Sequence, residues 1–153
     1  MARKRGVRVL IDPSPAERFS AELYPLVDYL TPNASEAEHL TGMPVASADD
    51  AARAGQALLE RGIQTALVKL AHGGCVVVSP EGHRHIAPPR EVHAVDTTGA
   101  GDAFAGALAV ALLEGRPLAE AARFAVTVAT FSITKYGSQN SYPSRAALAA
   151  FLT

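Results

Sequence analysis

The 153-residue chain has little cysteine, little net charge and no apolar run of 18 residues. Its single cysteine, Cys75, has no internal partner, so no disulfide framework holds the fold. That scarcity suits a reducing compartment, and a cytoplasmic location is expected. The formal net charge is −1, so no basic field asks for nucleic acid. The opening "MARKRG" is basic, but the apolar stretch after it is broken by Asp12. With no h-region and no 18-residue apolar span, it reads as a solvated tail and not as a signal peptide or membrane anchor. The five histidines (His39, His72, His83, His85, His93) show no metal-ligand spacing with Cys or carboxylates. Two phosphate-loop patterns are also missing. No Gly-Lys-Ser/Thr follows a glycine loop, and no Gly-x-Gly-x-x-Gly follows "VRVLID", which disfavours an NAD-binding domain.

What is present is the composition of a globular domain: 48% hydrophobic, 19% charged, 12 Gly and 10 Pro. A chain of this length buries roughly two-thirds of its unfolded surface. "VRVLID", "DYLTPN" and "TALVKLA" read as short buried strands. "GCVVVSPEGHRHIAPP" reads as a hairpin turning at Pro80-Glu81-Gly82, with Cys75 a small buried hydrophobe in its first strand. Helical spacing is expected in "SPAERFSAELYPLV". It is expected again in "SEAEHLTG", with Ser35 as its cap and Gly42 as its end, and in "SADDAARAGQALLERG". It recurs in "PLAEAARFAVTVATFSITKYG" and "SRAALAAFL". Strands alternating with helices predict an α/β fold, with a mostly parallel sheet and helices on both faces. No repeat or linker divides residues 1–153.

The most informative stretch is "AVDTTGAGDAFAGALAVALLEG", Ala94 to Gly115. Ligands of open α/β sheets sit beyond the carboxyl ends of strands, and a helix N-terminus there offers N–H groups and a positive dipole end. Glycine lets a backbone approach an anion closely. Gly99, Ala100 and Gly101 therefore read as an N–H cup for a phosphate. Asp102 beside such a cup is repulsive unless it acts as a base, taking a proton from a hydroxyl while the N–H groups stabilise a transferring phosphoryl group. The plain alternative is a glycine turn followed by an ordinary first-turn aspartate. Likewise, Asn33 and Glu36 are as consistent with helix capping as with chemistry.

"VDTTGAGDAFAGAL" closely resembles the C-terminal signature of the PfkB carbohydrate kinases, the ribokinase family. Three further stretches resemble that family in the same order: "LIDPSPA", "VDYLTPNASEAEHLTG" with its Asn-x-x-Glu at Asn33 and Glu36, and "ITKYGSQNSYPS". The last matches a Thr-x-x-Gly-Ala/Ser-Gln-x-Ser-x-Pro loop. The matches run from about Val9 to Leu152, with the ribokinase branch nearest. The resemblance implies a ribokinase-like three-layer α/β/α sandwich. It implies Asp102 as catalytic base and sugar ligand, with Gly99, Ala100 and Gly101 as the anion hole. Asn33 would hold nucleotide phosphates and Glu36 hydrated Mg²⁺, an ion that prefers oxygen ligands and keeps its waters.

"KLAHGG" aligns with the family's nucleotide loop, so Lys69, Leu70, Ala71, His72, Gly73 and Gly74 are implied ATP contacts, together with Gly101. Ala71 stands where glycine is usual, at a cost of about 1 kcal/mol if that position needs positive φ. A K⁺ site is implied at Asp96, Thr98, Ser132, Lys135, Gly137 and Ser141, mostly through backbone carbonyls. ATP and a small sugar such as D-ribose are the implied ligands, with phosphoryl transfer to the O5 hydroxyl. The family's β-lid and sugar-pocket half have no counterpart in the 153 residues. The expectation is therefore the C-terminal, nucleotide-binding and catalytic part of such a kinase: a fragment, a split enzyme with a partner chain or a second copy, or an inactive truncation. A nucleotide-binding regulatory module without turnover is the alternative.

Overall fold

The computed structural model describes residues 3–153. Met1 and Ala2 of the expected tail lie outside the described residues, and Lys4 to Arg8 are exposed. Contacts group the chain into two compact units, one ending at His85 and one running Ile86–Thr153.

The first unit is built on a five-stranded sheet of order β1-β2-β3-β4-β5. Its strands are β1 Leu10–Ile11, β2 Tyr29–Leu30, β3 Thr65–Lys69, β4 Cys75–Ser79 and β5 Gly82–Ile86. β1, β2 and β3 pair in parallel, with Leu10 opposite Tyr29 and Tyr29 opposite Thr65. β3 and β4 are antiparallel, Lys69 facing Cys75. Only Pro80 and Glu81 link β4 to β5, a hairpin connection, so the sheet is mixed. β3 and β4 are buried from Ala66 to Val68 and from Cys75 to Val78, which explains their unbroken apolar sequence.

Two helices pack on this sheet. α1 spans Ala34–Thr41 and α2 spans Ala48–Glu60. Ala37, Ala51 and Ala54 meet Val68, Val76 and Val78 in one apolar cluster, while Leu40 and Leu58 join Leu30 and Ala66 in another. Small alanines let the helices lie close to the strands. α1 is capped by Asn33 and not by Ser35, because only the Asn33 carboxamide meets the Glu36 N–H. Gly42, at φ 75°, closes α1 as expected. The helix expected over Ser14–Val27 is absent. The segment forms two 3₁₀ turns, Ala16–Arg18 and Ala21–Leu26, separated by extended Phe19 and Ser20. Pro25 lacks the N–H that an α-helical turn requires.

The second unit is helical. α3 spans Ala100–Leu113, α4 spans Leu118–Ser132 and α5 spans Arg145–Leu152. α3 and α4 pack on each other, and Phe104, Leu108, Ala121 and Ala125 are buried. The helical pattern expected through Gly137 stops at Ser132. Gly137 turns the chain at φ 79°, and its N–H is held by Asp96. Among the described residues, no helix is long and apolar enough to cross a membrane.

Candidate active site

In the first unit, the carboxyl ends of the three parallel strands bring sequence-distant groups together. β1 runs into Asp12, β2 into Thr31-Pro32-Asn33, and β3 ends at Lys69. The Lys69 N–H donates to the Pro32 carbonyl at 2.8 Å, and Asn33 forms a parallel bridge with Lys69. Parallel strand ends thus place Asn33, Glu36 and the loop after Lys69 side by side, where ligands of open α/β sheets bind.

Asn33 and Glu36 form a reciprocal capping box. Asn33 Oδ1 accepts from the Glu36 N–H at 2.8 Å, and Glu36 Oε2 accepts from the Asn33 N–H at 2.7 Å. The capping alternative therefore describes real interactions, but it does not exhaust either side chain. The Asn33 amide nitrogen keeps two donors, and Glu36 keeps its second carboxylate oxygen. Both side chains remain accessible, so the pair fits a phosphate on Asn33 and a hydrated divalent cation on Glu36.

Lys69 Nζ is 2.7 Å from Asp12 Oδ2, with 15% and 19% of the two side chains exposed. Asp12 is a site neighbour that the residue-level reading passed over, although it lies inside the quoted "LIDPSPA". In the loop that follows, the Leu70 N–H donates to Gly74 O and the Gly73 N–H to Leu70 O, each at 3.1 Å. Gly73 and Gly74 take positive φ, 90° and 80°, whereas Ala71 does not, so its side chain carries no left-handed strain. Ala71, His72 and Gly73 are exposed.

In the second unit, the start of α3 is held from two directions by the loop after α4. Gly99 is the N-cap of α3, at φ 78°, and Asp102 lies in the first turn with its side chain exposed. The first N–H groups of a helix have no intrahelical acceptor. That of Ala100 turns back to Thr97 O at 3.1 Å, which leaves the N–H groups of Gly101 and Asp102 to face an anion. Asp96 Oδ1 accepts from the Thr98 N–H and Oδ2 from the Gly137 N–H, each at 2.9 Å. The Gly137 bond first, then those of Thr98, hold the Asp96 carboxyl below its usual range. Across the turn, Tyr142 Oη donates to Gly99 O at 3.3 Å. A Cβ at Gly99 would lie 2.6 Å from Ser138 Cβ and 2.8 Å from Tyr142 Oη, so only glycine fits.

The remaining predicted cation residues fall around this loop. Ser141 is buried and donates to Ser138 O at 2.6 Å. Ser132 is buried and donates to Ala129 O at 2.9 Å, so its hydroxyl serves the helix end. Lys135 is exposed, its ammonium 4.8 Å from the Phe131 ring centre. Asp96 is the one carboxylate among these residues, and its two oxygens already accept backbone N–H groups; a carboxylate with backbone carbonyls is the hard-oxygen chemistry that suits an alkali cation. Among the described residues, no cluster of three or more His, Cys, Asp or Glu could hold a metal ion.

The family model described as "pfkB family carbohydrate kinase" matches residues 1–145. The ribokinase of Haemophilus influenzae is 43% identical over 152 residues, which cover 99% of this chain and 49% of that protein. The crystal structure of a Thermotoga maritima ribokinase superposes with a TM-score of 0.88 at 38% identity, covering 99% of this chain and 50% of that one. An Arabidopsis thaliana ribokinase, solved with ribose and ATP, superposes at 0.89 and 32% identity, covering 97% and 48%. The fold is thus the ribokinase-like α/β fold expected from the sequence, and the chain spans about half the length of the relatives it matches.

Proposed function

The chain belongs to the pfkB family of carbohydrate kinases, and from that premise we propose that it is the nucleotide-binding and catalytic part of an ATP-dependent sugar kinase. In this reading D-ribose or a close relative is phosphorylated at its primary O5 hydroxyl. Asp102 carries the proposal. It is an exposed carboxylate in the first turn of α3, next to N–H groups with no helical acceptor, behind a glycine that the fold enforces.

Asp102 binds the sugar hydroxyl and takes its proton as the O5–phosphorus bond forms. The bond from the γ-phosphorus to the bridging oxygen breaks, and ADP leaves with the electron pair. The open N–H groups of Gly101 and Asp102, which follow the Gly99–Ala100 turn, stabilise charge on the transferring group, where preorganised donors contribute most. Asn33 orients the nucleotide phosphates, and the loop Lys69–Gly74 lies against the nucleotide. Mg²⁺, held through water by Glu36, would neutralise phosphate charge. K⁺, held by Asp96 and carbonyls among Thr98, Ser132, Lys135, Gly137 and Ser141, would support the turn's shape. Sugar contacts beyond Asp102 come from a complementary N-terminal half or from a second copy of the chain.

The test is ATP turnover by the 153-residue chain with D-ribose, Mg²⁺ and K⁺, beside D102N. A general base contributes roughly a hundred- to ten-thousandfold, so ribose-dependent turnover should fall by that factor in D102N while ATP binding persists. Equal turnover in both proteins would overturn the assignment of Asp102. The chain spans about half the length of the relatives it matches; a second reading is a nucleotide-binding module without catalysis. ATP binding by the folded chain, with no turnover when the complementary half is added, would select that reading.

A further inference from the structure

The loop after α4 reaches the turn before α3 through the Ile133 carbonyl, which accepts from the Val95 and Asp96 N–H groups, and through two side-chain bonds. One is the Asp96–Gly137 contact, which lies among the residues already assigned to the cation site. The other is Tyr142, which stands at an unspecified position of the family motif and has no role in the chemistry described so far. Its hydroxyl donates to Gly99 O, which also accepts the first helical bond of α3, from the Ala103 N–H at 2.9 Å. That carbonyl belongs to the same planar peptide unit as the Ala100 N–H. A group that holds the carbonyl therefore fixes the plane of this one peptide, whose N–H is turned to Thr97 O, and with it the backbone that leads into the N–H groups of Gly101 and Asp102.

Tyr142 does more than touch the carbonyl. Its oxygen and the Ser138 side chain fill the space where a Gly99 Cβ would sit. Ser138 is in turn held by Ser141, whose buried hydroxyl donates to the Ser138 carbonyl. The phenol also senses Asp102: its ionisation is pushed above the usual tyrosine range, first by burial and then by the Asp102 charge. At 3.3 Å the Tyr142 bond is long for O–H···O, so its effect on global stability is small. Its effect on the direction of one peptide need not be small.

We propose that Tyr142 is a positioning residue of the phosphoryl-transfer site, its hydroxyl holding the Gly99 carbonyl so that the first turn of α3 presents its N–H groups and Asp102 in register. Its consequence for catalysis rests on the kinase reading above. Its structural content does not.

Y142F removes the hydroxyl and keeps the ring. Amide hydrogen exchange of the ligand-free 153-residue chain reads the turn directly, and Y136F is the control, since Tyr136 is 79% exposed. Losing one neutral hydrogen bond is worth roughly a three- to tenfold change. The Ala103 amide should exchange faster by that factor in Y142F, and the Ala100 and Gly101 resonances should shift, with both unchanged in Y136F. In the active protein, kcat should fall by a similar factor while KM for ATP and the melting temperature stay near wild type. A Y142F chain whose Ala100 to Ala103 amides match wild type overturns the proposal, whatever the turnover. So does faster exchange with unchanged kcat where D102N is inactive. If D102N turns over like wild type, the kinase assignment of Asp102 fails instead, and the amides alone decide on Tyr142.

Discussion

Residue by residue, the site depends on backbone positions that admit one side chain. Gly99 combines a left-handed φ with a close approach by Ser138 and Tyr142. G99A should therefore cost more than the roughly 1–2 kcal/mol of a left-handed alanine, because the neighbours must also move. Chemical denaturation would show this as a lower midpoint at unchanged slope; a midpoint equal to wild type would mean the turn relaxes freely. Ala71 is the opposite case. Its departure from the family's usual glycine predicted strain only if φ were positive, and the left-handed conformations fall on Gly73 and Gly74. No side-chain chemistry of the six loop residues distinguishes these positions; the path of the loop does.

Between elements, the close packing of α2 on β4 sets a constraint that local propensity does not reveal. Gly55 lies inside α2, where glycine usually costs helix stability relative to alanine. Here a Cβ would sit 2.5 Å from Val78 Cγ2. G55A should destabilise the chain by about 1–3 kcal/mol despite its better helix propensity, and V78A in the same chain should recover part of the loss. A double-mutant cycle by urea denaturation measures this, and a stabilised G55A would refute the packing argument. The caps of α1 and α2, by contrast, were legible apart from the choice of Asn33 over Ser35. Ser47 and Asp50 form a capping box within three residues of each other, and so do Asn33 and Glu36. Such contacts depend on helix geometry alone. The helix expected over Ser14–Val27 shows the limit of periodicity, which does not register where a proline interrupts the hydrogen-bond ladder.

For the molecule as a whole, ionisation bounds the range of stability. Asp50, Glu81, Asp96 and Glu114 all have carboxyls held below their usual range by hydrogen bonds. Each contributes stability that is present above its unfolded value near 4 and lost as pH falls through the lower folded value. Cys75 acts at the other end. Burial pushes its thiol from 9.0 to about 12. A raised value means that the folded state binds the proton more tightly, so this contribution is intact below about 9 and is lost as pH rises toward about 12. Melting temperatures across pH should show a plateau with an acid limb below about 4 and an alkaline limb above about 9. C75A should flatten the alkaline limb, and an unchanged limb would assign it to other groups. The folded thiol should also resist alkylation at neutral pH, because the thiolate is the nucleophile.

The amino-acid sequence by itself determined the α/β class, the strands Thr65–Lys69 and Cys75–Ser79, most of the helices, and the family signature at Gly99–Asp102. These rest on apolar periodicity and on glycine and aspartate placed within a few residues of each other. Tertiary structure decided the rest. The Lys69–Asp12 pair, the Asp96–Gly137 bond and the Tyr142–Gly99 bond span 57, 41 and 43 residues of sequence. Local preference cannot select such partners, because which side chain meets which depends on where parallel strand ends and the loop after α4 come to lie.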